Sequence, residues 1–306
     1  MAPDDRGRVW IRITIHSTRE AADAVASALL SVSPNGVTTE DAGDEVCVTG
    51  YAGPFHGADA IAGVSVRVPN ALEPIPSDLL PRPLQIELSA EPEEDWIEAF
   101  RSHHQPVRIG HLVIKPTWEP WPSPQLPPRP RDLVIEIDPG LAFGTGQHPT
   151  TYICLAEMQE RIRPGDRVLD FGCGSGILSI AAAKLGAGHI TAIDCDEAAL
   201  SVAAENVALN EVTDRVKLEA ADNLDDVDGG LDLVVANINP IVVATEAARV
   251  AQLLRPGGTY ICTGIPLSRE GRVLEALREA PFKGILPRPK GEWIGFVCVT
   301  ADGDGS

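Results

Sequence analysis

The densest run of residues able to do chemistry is VLDFGCGSG, Val168 to Gly176, an apolar stretch ending in Asp170 that runs into Gly172, Gly174 and Gly176 ahead of a helix-forming segment. Glycine has no Cβ, so a backbone built from it can turn sharply and approach a ligand closely. Three kinds of ligand are held by such loops: phosphates in a P-loop, nicotinamide or flavin dinucleotides, and S-adenosylmethionine. A P-loop needs Lys-Ser/Thr after its glycines, where this chain has Ile177-Leu178. The dinucleotide fingerprint G-x-G-x-x-G/A needs a small residue at Ile177 in one register or at Ser179 in the other, and neither fits. Charge favours the third ligand. Asp170 would repel a pyrophosphate, whereas S-adenosylmethionine brings a cationic sulfonium and an ammonium to be neutralised.

Further polar residues fall where such a ligand needs them. Asp194 ends the next strand candidate, where an acid can accept both ribose hydroxyls of an adenosine ligand; the competing reading, a helix-capping acid, is equally open to Asp196. Asp222, after a third strand, is placed to meet the adenine edge, although Asp is also common in loops. Asn237 ends a run of apolar residues and precedes Ile238-Asn239-Pro240. A side-chain amide there can hold cofactor or acceptor, or can serve turn chemistry instead. Upstream, DPGLAFGTGQHPTT, Asp138 to Thr151, joins glycines, hydroxyls and one aromatic to a helix expected from Pro149. Phe143 is a candidate to pack against the methionine arm and shield the methyl, with Thr151 a candidate ligand-binding hydroxyl. His148 has the chemistry of a general base, with helix capping or packing as its alternative.

These residues need a scaffold, and the pattern from Asp166 onward supplies one. Strands are expected at Arg167–Phe171, His189–Asp194, Val216–Glu219, Leu231–Asn237 and Gly258–Thr263, with helices at Ile177–Leu185, Glu197–Asn210, Ile241–Leu254 and Gly271–Glu279. Such alternation predicts a doubly wound, mostly parallel α/β sheet. Gly284–Lys290 and Glu292–Thr300 are joined too tightly for a crossover helix and are expected to form a terminal antiparallel hairpin.

The first ninety or so residues predict a small α+β unit. Ile11, Ile13 and Ile15 alternate along a strand from Trp10 to His16, a helix capped by Ser17 or Thr18 covers Ala21 to Leu30 before Pro34-Asn35-Gly36, and Val46–Val48 and Val64–Val68 predict further strands. Glu91 to Arg101, with Trp96, Ile97 and Phe100 at helical spacing, predicts an amphipathic connecting helix. Six prolines between Thr117 and Arg131 predict a stiff surface loop.

Bulk properties set the outer limits. The 306 residues suffice for about two domains, and 44% hydrophobic with 23% charged residues is a globular composition. No basic-then-apolar leader opens the chain and no long apolar run would span a bilayer, so a cytoplasmic protein with no membrane partner is expected. The six cysteines show no metal-ligand spacing, which points to buried thiols and no metal. A net charge of -19 opposes direct binding to nucleic acid and would attract a basic protein partner, although an acidic surface also serves solubility alone. Oligomeric state is not legible.

DPGLAFGTGQHPTT followed by DFGCGSGILSIAAAKLGA and AIDCDEAAL closely resembles the ribosomal protein L11 methyltransferase family. DWIEAFRSHHQPVRIGHLVIKPTW, Asp95 to Trp118, is similar to that family's connection between recognition and catalytic domains. The resemblance implies a class I methyltransferase fold and methylation of lysine or α-amino nitrogens of ribosomal protein L11 from S-adenosylmethionine. It implies a recognition domain over residues 1–90, a connection over 91–118 and a cofactor-binding domain over 119–306. The resemblance places Thr151, Gly172, Asp194 and Asn237 at the cofactor, where the residue reading adds Gly174 and Asp222, with Asn237 and Phe143 positioning acceptor and methyl. The chain departs from the family at Ile238-Asn239-Pro240-Ile241, where better-known members tend to have Ile-Leu-Ala and a small residue. Two other functions fit the same residues: methylation of another protein or a small molecule, and a non-catalytic, cofactor-sensing ribosome-assembly factor.

Overall fold

Residues Ile11, Ile13 and Ile15 are fully buried along β1 (Arg8–Ser17), as period-two alternation demands of a strand with one face covered. The cover is α1 (Ala22–Leu30) and α2 (Ala60–Leu72), which contribute Val25, Leu29, Val64, Val68 and Leu72. With β2 (Val37–Ala42), β3 (Glu45–His56) and β4 (Ile86–Pro92), β1 forms a four-stranded antiparallel sheet in the order β2-β3-β1-β4. The element order β-α-β-β-α-β makes this a split βαβ unit.

The computed structural model describes residues 8–33, 37–43, 45–56, 60–73, 75, 80–81, 83–92, 105–123, 126–138 and 148–302. The chain divides into two units, Met1–His103 and His104–Ser306. In the first, Val64–Val68 is helical, not the strand its alternating valines predict. Val64, Val68 and Leu72 recur every four residues and are buried, while Val66 is 62% exposed, so the helical period decides the face. The α1 helix begins at Ala22 with Ala21 as its N-cap, and Thr18 serves the preceding turn by accepting from Ala21 N at 3.2 Å. Of the expected connecting helix, Glu91 lies in β4 and residues from 93 to 101 lie outside the described residues. Pro34-Asn35-Gly36 also lies outside them.

The second unit opens with strands that the sequence reading did not name: β5 (Val107–Ile109), β6 (Leu112–Pro116) and β7 (Leu133–Ile137) make a small sheet in which β6 pairs antiparallel with β5 and parallel with β7. Then follow α3 (Pro149–Arg161), β8 (Arg167–Phe171), α4 (Ile177–Leu185), β9 (His189–Asp194), α5 (Glu197–Leu209), β10 (Val216–Ala220) and β11 (Leu231–Asn237). After these come α6 (Pro240–Leu253), β12 (Leu254–Pro266), α7 (Glu270–Glu279), β13 (Phe282–Lys290) and β14 (Trp293–Thr300).

Seven of these strands form one sheet, ordered β10-β9-β8-β11-β12-β14-β13. Strands β8 to β12 pair in parallel, and β14 runs antiparallel to both β12 and β13. The central strands are apolar on both faces because both are covered. Val168, Leu233 and Val235 face α3, α4 and α5, while Leu169, Val234 and Ala236 face α6 and α7. Strand order reverses between β8 and β11, which opens a crevice at their carboxyl ends. Among the described residues, no helix is long and apolar enough to cross a membrane.

Candidate functional site

The loop after β8 is shaped by its glycines. Gly172 has φ +75°, and a Cβ there would run into Cγ2 of Ile238, the residue that follows β11. The first two loop amides, of Gly172 and Cys173, both donate to Ile193 O, at 2.9 and 3.0 Å. Gly174 N donates to Asp194 Oδ2 at 2.9 Å, and Asp194 Oδ1 accepts from Asp196 N at 3.0 Å. The helix cap belongs to Asp196, whose side chain accepts from Ala198 N at 2.9 Å, so Asp194 is left for the crevice. The carboxylate of Asp194 is therefore tied to the glycine loop across two strands.

Asp170 lies beneath this loop and is fully buried. Its Oδ2 accepts from Ser179 Oγ at 2.6 Å, while its Oδ1 is buried and has no hydrogen-bond partner among the described residues. Burial raises the carboxyl to about 7, against the pull of the Ser179 hydrogen bonds, and the charge of Asp194 pushes the same way. An unsatisfied buried carboxylate oxygen needs a cation or a donor, and the ammonium of S-adenosylmethionine is both.

On the far side of the switch point, Asn237 ends β11 in register with Thr263 of β12. Its Nδ2 donates to Thr151 Oγ1 at 3.4 Å, and its Oδ1 accepts from Thr263 Oγ1 at 3.0 Å. Asn237, Thr151, Gly172, Gly174 and Asp194 thus come together at the carboxyl ends of β8, β9 and β11. The turn chemistry open to Asn237 is carried by Asn239 instead, which caps α6 by accepting from Ile241 N at 2.8 Å ahead of Pro240 at the helix start. This is the local work of the Asn239-Pro240 pair that departs from the family pattern.

Asp222 is exposed beyond β10, accepts from Asn223 Nδ2 at 2.8 Å, and follows Ala221, whose N–H donates to Asp194 O at 3.0 Å. His148 caps α3 through Nδ1, which accepts from Thr150 N at 3.4 Å and lies 2.7 Å from Thr150 Oγ1, and its ring meets Trp293 edge-on at 4.8 Å. Burial lowers its pKa, which favours the neutral imidazole. Phe143 lies outside the described residues. Among the described residues, no group of three or more His, Cys, Asp or Glu has the arrangement of a metal site. Four cysteines are buried as expected, but Cys195 is exposed because it follows Asp194 off the strand end.

Three contributors escaped the sequence reading: the Ser179 partner of Asp170, the hydroxyl of Thr263, and Asn206. Asn206 sits in α5, accepts from Asp138 N at 2.9 Å and donates to Ser175 O at 3.0 Å, linking the glycine loop to the end of β7. The i,i+4 spacing of Asn206 and Asn210 in an otherwise apolar helix face was the available signal.

A doubly wound sheet with its acid-bearing glycine loop and strand-end Asp and Asn at the switch point defines a class I S-adenosylmethionine-dependent methyltransferase. Residues 9–301 match the sequence model of the family described as ribosomal protein L11 methyltransferase (PrmA), and the chain belongs to that family. The ribosomal protein L11 methyltransferase of Pelotomaculum thermopropionicum is 36% identical over 94% of this chain and 98% of its own length. That of Bacillus cytotoxicus is 33% identical over 95% and 99%. The crystal structure of ribosomal protein L11 methylase from Lactobacillus delbrueckii subsp. bulgaricus superposes with a TM-score of 0.59 at 34% identity, covering 64% of this chain and 99% of that one.

Proposed function

We propose that this chain transfers methyl groups from S-adenosylmethionine to lysine or α-amino nitrogens of ribosomal protein L11. The observation that carries this reading is full-length correspondence: the L11 methyltransferases align over 94–95% of the chain, so the split βαβ unit is shared as well as the catalytic one. Residues 1–90 are then the recognition domain, 91–118 the connection and 119–306 the methyltransferase domain.

When bound, S-adenosylmethionine would supply an activated methyl to an uncharged amine of the acceptor, leaving S-adenosylhomocysteine as the product. The protein's share is alignment and desolvation, which together are worth several kcal/mol. In this reading Asp170 neutralises the amino-acid ammonium, Asp194 receives the ribose hydroxyls, Gly172 and Gly174 let the backbone come close, Asp222 meets the adenine edge and Thr151 contacts the cofactor. Asn237 and Phe143 position the acceptor and the methyl. The acceptor must arrive deprotonated or shed its proton in the site. No residue is assigned that proton; His148 caps α3 through Nδ1 and packs edge-on against Trp293.

The test is mass spectrometry of recombinant L11 after incubation with this protein and S-adenosylmethionine, with Asp194→Ala as control. Mass gains in steps of one methyl, abolished in the variant, are expected. An unmodified L11 in the presence of cofactor-binding enzyme would overturn the choice of acceptor and leave the methyltransferase class intact.

A further inference from the structure

Thr263 is fully buried in β12, beside the strand that carries Asn237. A β-branched residue suits that position, and Val would fill the same volume if packing were all that mattered. Three features instead serve the hydroxyl group. Its Oγ1 lies 3.0 Å from Asn237 Oδ1, shorter than its 3.4 Å approach to Thr150 O, so the amide oxygen is the preferred acceptor for its one proton. Behind it, Cys154 Sγ lies at 3.3 Å, and burial pushes that thiol up to about 12, which keeps it protonated and able to donate to Oγ1. The strand is also fitted around this residue. A Cβ at Gly295 of β14 would meet Thr263 Cγ2 at 2.6 Å and Ile153 Cγ2 at 2.9 Å, and a Cβ at Gly264, where φ is +85°, would collide with Ile238 O. Those two glycines let Thr263 O accept from Ile238 N at 3.3 Å while its side chain turns toward Asn237.

The consequence concerns the Asn237 amide. A carboxamide can be flipped by half a turn at little cost unless donor and acceptor partners distinguish its two ends. Here Thr263 donates to Oδ1 and Thr151 accepts from Nδ2, so both ends are specified. One N–H of Nδ2 and the remaining acceptor capacity of Oδ1 are left over at the strand end. We infer that Thr263 is a positioning residue for methyl transfer, its hydroxyl fixing the orientation of the Asn237 amide. The inference rests on the reading of Asn237 as the residue that meets cofactor and acceptor.

The experiment measures steady-state methylation of L11 by Thr263→Val, Thr263→Ser, Asn237→Ala and the Thr263→Val/Asn237→Ala double variant, with melting temperatures alongside. Thr263→Val is expected to lower kcat about tenfold with the KM for L11 little changed, as befits the loss of one orienting hydrogen bond. Thr263→Ser keeps the hydroxyl and is expected to retain near-parent turnover. In the Asn237→Ala background, Thr263→Val should cost nothing further. If Thr263→Val does not fold, Thr263→Ala removes the same hydroxyl from a smaller side chain and is read the same way. Full turnover by the hydroxyl-free variant while Asn237→Ala is impaired overturns the role of Thr263 alone, as does an undiminished loss in the double variant. Full turnover by Asn237→Ala overturns the reading of Asn237 and the inference with it.

Discussion

At Asp170 the carboxyl sits at about 7 because burial penalises its charged form and the charge of Asp194 adds to that, against the Ser179 hydrogen bonds. A folded-state pKa raised above the ordinary 3.8 means that the folded protein holds the proton more tightly than the unfolded chain. For the cofactor-free protein, this group's contribution to stability is full below about pH 4 and is lost as the pH rises through about 7. Binding of an ammonium ion reverses the preference, since the cation favours the ionised form. S-adenosylmethionine affinity is therefore expected to rise with pH up to about 7, with roughly a tenfold weakening one unit below, and to fall again only where the ligand's own α-ammonium loses its proton, at about pH 8 or above. Calorimetric titration across this range checks it, and Asp170→Asn should flatten the profile; an unchanged slope in that variant would exclude Asp170 as its source. The residue itself was legible as an acid beside a glycine loop. Its Ser179 partner was not, because Ser179 approaches Asp170 only after α4 winds back over β8. The choice between Asp194 and Asp196 was likewise open in the sequence, where both precede a helix, and was closed by which one accepts from Ala198 N.

At the level of elements, α5 does more than cover the sheet. Asn210 accepts from Glu136 N at 2.9 Å and donates to Glu136 O at 2.6 Å, so a side chain stands in for a neighbouring strand along β7. Asn206 repeats the arrangement at Asp138, just where the DPGLAFGTGQHPTT segment begins. Replacing the buried Asn210 by Ala leaves a strand N–H and C=O without partners, at an expected cost of about 1–3 kcal/mol. Chemical denaturation of Asn210→Ala should show that loss in the transition midpoint, and an unchanged midpoint would mean that water replaces the amide. Helices and strands with strong periodicity were read within a residue or two, as at β8, β9, β11 and α4. The valines of α2 were misread because period two and period four coincide at Val64 and Val68, and only burial against β1 separates them. Strands β5 to β7 were missed because they are short and lie beside a proline-rich loop, and although β5 and β6 form a local hairpin, β7 pairs with β6 only across that loop.

For the whole molecule, the net charge of -19 bears on the encounter with its acceptor. Long-range attraction to a basic protein speeds association and is screened over roughly 10 Å at 0.1 M salt. With L11 as the proposed acceptor, raising ionic strength is expected to increase its KM several-fold while leaving kcat nearly constant, because screening weakens the long-range approach and not the transfer within the complex. Steady-state kinetics from about 0.05 to 0.3 M salt check this, and a kcat that falls with salt at constant KM would place the charge effect inside the site.

The glycine loop, its acid, the strand-end Asp194 and Asn237 and the order of elements from β8 onward were determined by the sequence alone, because each depends on local backbone freedom or on a periodicity that a short window carries. What only the tertiary structure decided is how those residues are held: Asp194 by the Gly174 amide, Asp170 by Ser179, Asn237 by Thr263 and Thr151, and β7 by two asparagines. These contacts join residues 9 to 86 positions apart, and a buried polar group takes whichever partner the packed core brings within about 3 Å.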